Sequence, residues 1–229
     1  MNRLFDFVMN TSDEEFKTHI NEYLSLDACL NYYIMTDMAY LLDNLGKNML
    51  LATYDGNVWY PCLYDLDTAW GTNERGDGLL KYEQYLVGFD YTRLFERIEQ
   101  CFPDKLSQRY FELRQDVLSR NNILFKFNGF KNLIPETAFA RELLKWGPVL
   151  PGYGTSQIET FLDNMIPRLD NKYNNMKIKT DNAEVTTDNS ETKADDSEIT
   201  TDNTEAKTDD SETTTDNTEA KTDDSETTD

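Results

Sequence analysis

The sequence predicts an α+β domain that is mainly helical, has one β-hairpin near its centre and is followed by a disordered tail. Three observations predict this class. Apolar residues recur every three or four positions over most of residues 1–177, and an aromatic segment split by Asp55-Gly56 interrupts that pattern. Residues 180–229 contain no aromatic residue, glycine or proline, so that segment cannot build a hydrophobic core.

Two helices are predicted before the hairpin. Ser12 and Glu15 have the spacing of a capping box, which predicts a helix that runs to about Tyr23. A second helix is predicted from Leu26 to about Leu42, because its apolar residues recur at intervals of three and four.

The hairpin is predicted from two aromatic and apolar runs, Asn48–Tyr54 and Val58–Tyr64, with Asp55-Gly56 between them. Asp-Gly between two such runs favours a tight reversal of the chain. A polar, glycine-containing loop follows at residues 71–78. Further helices are predicted at Tyr91–Gln100, Asp104–Arg120, Leu133–Lys145 and Ser156–Asn175.

The C-terminal segment is an acidic repeat. Val185–Glu198, Ile199–Glu212 and Thr213–Glu226 align with a period of 14 residues. Residues 181–229 hold 18 acidic residues and three lysines, and so carry −15 of the total net charge of −21. The repeats have no apolar face to stack, so a solenoid is excluded and a disordered tail is predicted. The domain boundary is placed between residues 177 and 178, with the tail as a solubilising extension, a spacer or a weak cation binder.

Composition excludes several classes for the remaining residues. Their charge of about −6 offers no basic stripe for nucleic acid. We expect no transmembrane helix and no signal peptide, and a cytoplasmic or spore-associated protein. His19 is the only histidine and is predicted to lie on the surface, which disfavours histidine-dependent hydrolases. Cys29, Cys62 and Cys101 form no metal or redox motif and are predicted to be reduced core residues.

Residues with oxygen-bearing side chains flank the hairpin. Asp43 and Asn48 precede the first strand, and Asp65 and Asp67 follow the second. A hairpin brings its far ends together, so three carboxylates and an amide are expected in one region. Such a cluster repels itself unless a cation is present, and its hard oxygens suit Mg²⁺ or Mn²⁺. The alternative is that Asp43 caps a turn and that the other acids are solvated charges at a strand end.

The order Asp43, Asn48, Asp65 follows the scheme of protein kinases, in which a catalytic Asp is followed by an Asn five residues later and then by a metal-binding Asp. The stretch from Ile20 to Gly71 resembles the CotH kinase family of spore-coat-type atypical protein kinases. The resemblance is carried by Asp-Asn-Leu-Gly-Lys-Asn at residues 43–48, Asp-Gly-Asn-Val-Trp at 55–59 and Pro-Cys-Leu-Tyr-Asp-Leu-Asp-Thr-Ala-Trp-Gly at 61–71. It extends over about residues 1–175.

The resemblance implies a function and a set of site residues. Asp43 resembles the catalytic Asp, Asn48 and Asp65 resemble metal ligands, and Asp67 is the second acid of the Asp-Leu-Asp motif. Trp59 resembles a tryptophan near the nucleotide, although it also suits a buried hairpin aromatic. The implied cofactors are ATP and Mg²⁺ or Mn²⁺, and the implied partner is a coat-type protein substrate phosphorylated on Ser or Thr.

The resemblance also implies a kinase-like C-terminal lobe. Family domains begin with a β-rich lobe that holds the ATP phosphates, whereas only about 42 residues, helical in pattern, precede Asp43. We therefore expect the N-terminal lobe to be missing from this chain, and a separate N-terminal half is a possible partner. Tyr64 stands where the family usually has Trp.

Two other functions remain open. One is a non-catalytic spore-coat or phage structural protein that keeps the fold. The other is a glycosyltransferase, because Asp65-Leu66-Asp67 is also a sugar-nucleotide metal motif, although no parallel βαβ unit precedes it.

Overall fold

The structure is a computed structural model that describes residues 2–41, 44, 46–67, 69–72, 92–147 and 155–191. It is mainly helical and has one two-stranded antiparallel sheet, as the sequence predicts. The helices are α1 (Asn2–Asn10), α2 (Asp13–His19), α3 (Leu26–Ala39), α4 (Arg93–Cys101), α5 (Pro103–Gln115), α6 (Arg120–Leu133), α7 (Glu136–Trp146) and α8 (Ser156–Glu191). The strands are β1 (Met49–Thr53) and β2 (Trp59–Leu63), and a short 3₁₀ helix spans Ile20–Glu22.

Serine side chains start three of the helices. Ser12, Ser25 and Ser119 each have extended backbone angles, and each hydroxyl accepts a hydrogen bond from the backbone N–H three residues later. The first of these bonds, from Glu15, is half of the predicted capping box and is 3.2 Å long. These caps satisfy N–H groups that a helix leaves without partners at its start.

The helix α3 is the centre of the fold, because ten of its 14 residues are buried. It packs against β2 on one side and against α4, α5 and α8 on the others. It ends at Ala39, three residues before the predicted end at Leu42, because Tyr40 takes a left-handed conformation with φ of 55°. The N–H of Leu41 then bonds to the carbonyl of Thr36 at 3.0 Å, which closes the helix end.

The hairpin forms where it is predicted. β1 and β2 pair in register from Met49 opposite Leu63 to Thr53 opposite Trp59. In the turn, the Asp55 carboxylate accepts hydrogen bonds from the N–H groups of Asn57 and Val58 at 2.8 and 3.0 Å. These bonds lower the pKa of Asp55.

A second connection fixes β2 to the helical body. The N–H of Trp59 donates to the carbonyl of Tyr23 at 2.8 Å, and the N–H of Ser25 donates to the carbonyl of Trp59 at 3.0 Å. The segment that leads into α3 therefore forms an isolated parallel bridge with β2, between Leu24 and Trp59. The hairpin is positioned by backbone bonds as well as by side-chain packing.

A buried arginine joins the first two helices to α4. The guanidinium of Arg97 is fully buried and lies over the Phe16 ring, 4.1 Å from its centroid. Its NH groups donate to five oxygen atoms of α1, α2 and their connection, namely the carbonyls of Phe7, Val8 and Ser12, the Thr11 hydroxyl and the Asp13 carboxylate. A cation at the C-terminal end of α1 is also favoured by the helix dipole.

Several helix bounds differ from prediction. The predicted helix Asp104–Arg120 ends at Gln115, and α6 is a separate helix that the sequence pattern did not indicate. The first residue of the predicted helix Tyr91–Gln100 lies outside the described residues. So do residues 73–78 of the predicted polar loop. The backbone of α8 is helical to Glu191, so it crosses the predicted boundary at residue 177 and enters the segment predicted to be disordered. The rest of the acidic tail lies outside the described residues.

The histidine prediction and the core positions predicted for Cys29 and Cys101 agree with the structure, whereas Cys62 is not part of the core. Cys29, Cys62 and Cys101 are free thiols, the first and last buried and the second half-buried. His19 is exposed, and its Nδ1 lies 2.8 Å from the Glu22 carboxylate. In the part of the chain that the structure describes, no helix is long and apolar enough to span a membrane.

Candidate functional site

The candidate site begins with a buried asparagine in the connection from α3 to β1. Asn44 is fully buried, and its Nδ2 donates to the carbonyls of Tyr64 at 2.8 Å and Asn48 at 3.3 Å. The backbone carbonyl of Asn44 accepts a hydrogen bond of 2.7 Å from the Tyr32 hydroxyl. Asn44 therefore fixes this connection both to α3 and to Tyr64, the residue that follows β2.

The predicted approach of the two hairpin ends is visible in the backbone and side-chain positions. Asn48 is buried, and its Nδ2 lies 3.5 Å from the carbonyl oxygen of Asp65, at the long end of the hydrogen-bond range. Because Met49 pairs with Leu63, Asn48 lies opposite Tyr64, and Asp65 is the next residue of the chain. The structure thus places the amide of Asn48 beside the first acid of the Asp-Leu-Asp motif.

The two acids of that motif are exposed to solvent. Asp65 has a left-handed backbone with φ of 55°, a conformation that costs a residue with a Cβ roughly 1 kcal/mol. Among the described residues its carboxylate makes no hydrogen bond or ion pair, whereas its carbonyl lies near Asn48. Asp67 has its carbonyl 3.5 Å from the Thr72 hydroxyl.

The far end of the Asp-Leu-Asp loop is anchored to two helices. The N–H of Trp70 donates to the carbonyl of Ala39, the last residue of α3, at 2.6 Å. Gln157 of α8 donates from Nε2 to the Trp70 carbonyl at 2.7 Å. The indole of Trp70 packs edge-on against Phe127 and Phe161, with centroids 5.3 and 6.0 Å away. The loop is therefore held at both ends, with its acids between the anchors.

Behind the site, α3 is fixed to α8 by a buried polar network. Lys172 Nζ lies 2.6 Å from Asp37 Oδ2 and 3.1 Å from the Tyr33 hydroxyl. The Tyr173 hydroxyl donates to the same Asp37 oxygen at 3.0 Å, and the Tyr33 hydroxyl donates to Glu99. Burial is the main cause that raises the pKa of both tyrosines well above its ordinary value. Because Asp37 lies in the last turn of α3, the network fixes the point from which the site connection starts.

Only some of the predicted site residues lie together in the structure. Asn48 and Asp65 are neighbours, Asp67 follows in the same exposed loop, and Asp43 lies outside the described residues. Trp59 is half-buried and packs against the hydrophobic core, while its backbone pairs with the segment before α3.

The oxygen groups around this loop have the chemistry that a hard divalent cation prefers. Both hydrogens of the Asn44 amide face carbonyl oxygens, which fixes the orientation of the group. Its Oδ1 is left buried and without a donor among the described residues. No three carboxylate, thiol or imidazole side chains are grouped for metal binding in the described ranges, which do not include Asp43. The donor set therefore fits a cation in kind, with amide, carbonyl and carboxylate oxygens.

Sequence reasoning missed Asn44, Tyr32 and Asp37. Asn44 stands next to Asp43 in the motif Asp-Asn-Leu-Gly-Lys-Asn, so its proximity to the predicted catalytic residue was an available signal. Asp37 lies four residues after Tyr33 in a helix that is mostly buried, which is an unusual place for a carboxylate unless a cation is near. Its partner lies 135 residues away, so the sequence pattern alone could not identify it.

A separate surface cleft of about 420 Å³ lies at the N-terminal helices and contains none of the predicted site residues. Its lining is formed by Arg3, Asp6, Phe7, Thr11, Glu15, His19, Glu22 and Tyr23.

Comparison with known proteins gives one match. A family model described as CotH kinase protein matches residues 1–176. A search of curated proteins and a search of solved structures gave no match. The match covers all the helices and both strands that carry the candidate site and ends within α8.

Proposed function

The chain belongs to the CotH kinase protein family, and from this membership we propose that it transfers the γ-phosphoryl group of ATP to a Ser or Thr hydroxyl of a coat-type protein substrate. The helical core would serve as the metal-handling, C-terminal lobe of a kinase-like domain. The observation that carries the proposal is the contact between Asn48 and Asp65, which lie 17 residues apart in sequence and meet at the open end of the hairpin.

Asn48, Asp65 and Asp67 would hold the divalent cation, Mg²⁺ or Mn²⁺. When bound, the cation would neutralise charge on the ATP phosphates. The two exposed carboxylates supply negative charge at the loop, and the Asn48 amide, held against the hairpin, supplies an oriented polar group. The buried Oδ1 of Asn44 supports the same assignment, because it leaves a further oxygen donor close to this connection.

Asp43 would act as the acid–base residue for the substrate hydroxyl. In the proposed reaction the hydroxyl oxygen attacks the γ-phosphorus, the bond to the bridging oxygen of ADP breaks, and Asp43 accepts the hydroxyl proton. Trp59 would lie near the nucleotide. The fold would contribute to such a reaction by holding the Asp-Leu-Asp loop at both ends, which positions its acids.

The test is phosphate transfer from radiolabelled ATP by the full chain, with dephosphorylated casein as a general Ser/Thr substrate and with Mg²⁺ or Mn²⁺. The variants are Asp43→Asn and Asp65→Asn, since Asn keeps the shape of Asp and tolerates the left-handed conformation of residue 65. Asp55→Asn is the matched control, because Asp55 is an exposed carboxylate at the opposite end of the same hairpin. Binding of Mn²⁺ is measured in parallel by calorimetry.

We expect the parent chain and the Asp55→Asn control to bind Mn²⁺ and Asp65→Asn to lose that binding. We expect phosphate transfer, measured with the chain alone and with an added ATP-binding N-terminal half, to fall at least about 100-fold in both site variants. Metal-dependent transfer that survives both site substitutions would contradict the assignment of residues. Absence of transfer together with absence of Mn²⁺ binding in the parent chain would favour a non-catalytic coat-type protein that keeps the family fold.

A further inference from the structure

One face of the hairpin is apolar and at least partly exposed. Leu50 and Ala52 alternate along β1 with residues that pack against the core, so their side chains lie on the opposite side of the sheet. Register places Cys62 and Tyr60 opposite them on β2, and the Tyr60 ring contacts the Tyr54 ring with centroids 5.8 Å apart. We call this continuous surface the outer face. It comprises Leu50, Ala52, Tyr54, Tyr60 and Cys62.

The backbone of β1 has an open edge beside this face. On β2, the N–H and the carbonyl of Trp59 point away from β1, because both bond to the segment before α3. Trp59 pairs with Thr53, so the backbone groups of Thr53 also point away from the partner strand, and those of Leu51 and Met49 follow by alternation. Among the described residues β1 pairs only with β2. The outward N–H and carbonyl groups of β1 therefore form a row that another strand can bind.

This edge lacks the features by which proteins prevent pairing with other chains. Such features are proline, charged side chains and bulges on the edge strand. β1 reads Met-Leu-Leu-Ala-Thr and contains no proline or charge, and its register with β2 is unbroken. The proline of the hairpin, Pro61, lies on β2 opposite Leu51, where an N–H would point away from β1. It therefore leaves the edge of β1 open.

An extended polypeptide is complementary to such an edge. Its N–H and carbonyl groups alternate at the spacing of those of β1, and every second side chain lies on the same side of the sheet as the outer face. A helix binds its own backbone groups internally and cannot pair with the row. The composition of the outer face favours apolar side chains at the alternate positions that contact it.

The open edge begins at the candidate site. Asn48, whose amide lies 3.5 Å from the Asp65 carbonyl, directly precedes Met49, the first residue of β1. Strands that pair lie about 4.8 Å apart. If a strand pairs with the whole of β1 in the antiparallel direction, the residue that follows the paired segment lies opposite Asn48, at a distance of about 5 Å. The edge thus leads a bound polypeptide to the site.

Charge restricts which polypeptide this is. Exposed carboxylates lie near both ends of the edge, with Asp55 in the turn and Asp65 and Asp67 beside the site. The acidic repeats of this chain, with 18 acidic residues and three lysines over residues 181–229, are repelled there. A second copy of the chain is also disfavoured, because each copy has a net charge of −21.

We propose that the edge of β1 binds an extended segment of the protein substrate as an added antiparallel strand, with the Ser or Thr to be phosphorylated opposite Asn48. The role of the bound segment rests on the proposed kinase function, whereas its binding needs neither ATP nor a metal. Leu50 and Ala52 lie two and four residues after Asn48. The substrate therefore has apolar residues two and four positions before its phosphorylated residue.

The test uses a synthetic peptide with blocked ends, Lys-Thr-Val-Thr-Val-Thr-Ser-Lys, titrated into the full chain by calorimetry. In the proposed register the valines contact the outer face, and the N–H groups of the threonines point towards β1. Two further peptides carry N-methyl groups, one on two of the threonines and the other on the two valines. Methylation removes donors from one edge of the peptide and leaves its side chains unchanged, so each methylated peptide is the matched control of the other.

We expect the unmethylated and the valine-methylated peptides to bind. The threonine-methylated peptide should bind at least about tenfold more weakly, because it loses the donors that face β1. Hydrogen exchange measured by NMR should slow at the N–H groups of Met49, Leu51 and Thr53 when the unmethylated peptide is bound. The N–H groups of Leu50 and Ala52 point towards β2 and should exchange at an unchanged rate.

Three results would overturn strand addition. They are equal binding of the two methylated peptides, no binding of the unmethylated peptide, and slow exchange of the Leu51 N–H in the free chain that is lost on dilution. The last result would mean that a second copy occupies the edge.

Phosphate transfer to the peptide and to casein separates this proposal from the proposed function. Strand addition without transfer to either substrate would contradict the kinase function alone. Transfer to casein without peptide binding would contradict the added strand alone. Transfer to casein with none to the serine of the bound peptide would contradict the role of the edge in substrate binding.

Discussion

The ion pair between Lys172 and Asp37 gives the sharpest prediction about stability. Both side chains are buried, and their charged atoms lie 2.6 Å apart. Lys172→Met keeps the length of the side chain and removes its charge. The carboxylate of Asp37 then remains buried in the last turn of α3, where the helix dipole disfavours a negative charge.

The expected magnitude follows from what each substitution leaves behind. Breaking a buried pair by removing one partner costs about 3–5 kcal/mol, because the other charge has no compensation. Asp37→Asn should cost a similar amount, since it leaves the ammonium of Lys172 buried. The double variant removes both charges, and residue 37 can still accept the hydrogen bond of Tyr173. We expect it to cost only about 1–3 kcal/mol, mainly for imperfectly paired polar groups.

The measurement is urea unfolding of the four chains followed by helical circular dichroism, with the transitions compared at a common slope. Lys17→Met is the control, because Lys17 pairs with Glu14 at 3.0 Å on the exposed surface, and its loss should cost at most about 1 kcal/mol. A double variant whose cost equals the sum of the two single costs would refute the reasoning. So would single variants that cost no more than the control.

Three further predictions concern other buried groups. Arg97→Lys should lose about 3 kcal/mol of unfolding free energy in urea, since a lysine cannot reach all five oxygens that the guanidinium binds; a loss below about 1 kcal/mol would contradict this. Alkylation of the native chain at mildly alkaline pH should modify Cys62 well before Cys29 and Cys101, because burial raises the pKa of Cys29 to about 12 and also raises that of Cys101; equal rates by mass spectrometry would contradict it. Unfolding free energy should fall above pH 10 by up to about 1.4 kcal/mol per pH unit for each buried tyrosine, because the unfolded chain loses protons that the folded chain retains; a flat profile of urea midpoints up to about pH 12 would exclude it. The tyrosines whose pKa is raised mainly by burial are Tyr32, Tyr33, Tyr110 and Tyr173.

The elements that could be predicted from sequence are those that local chemistry specifies. The hairpin depends on Asp55 and Gly56, whose turn is closed by side-chain and backbone bonds within a few residues. The start of α2 depends on the Ser12 cap three residues before its bonding partner. Both signals involve residues at most three positions apart in sequence, so no tertiary contact is needed to recognise them.

The elements that could not be predicted depend on distant contacts. The helix α6 contains asparagines and a glycine, which are weak helix formers, and it is held by Ile123 and Phe127 packing against the core. The end of α3 at Ala39 follows from a left-handed Tyr40, a conformation that residue type does not indicate. The approach of Asn48 to the Asp-Leu-Asp motif was within reach because a hairpin brings its two ends together, whereas the fixing of Asn44 to Tyr64 was not.

The conformation of Asp65 connects the stability of the fold to the proposed chemistry. Its left-handed backbone costs free energy that glycine would avoid, and its exposed carboxylate contributes no hydrogen bond or ion pair within the described residues. The turn itself is already fixed by Asn44 on one side and by the bond between Trp70 and Ala39 on the other. Tyr40 and Trp70 share this left-handed conformation, and Asp adopts it more readily than an aromatic residue does, so the backbone conformation by itself does not mark residue 65 as functional. What sets residue 65 apart is its exposed carboxylate, and Asp65→Asn removes that charge while it keeps the left-handed turn.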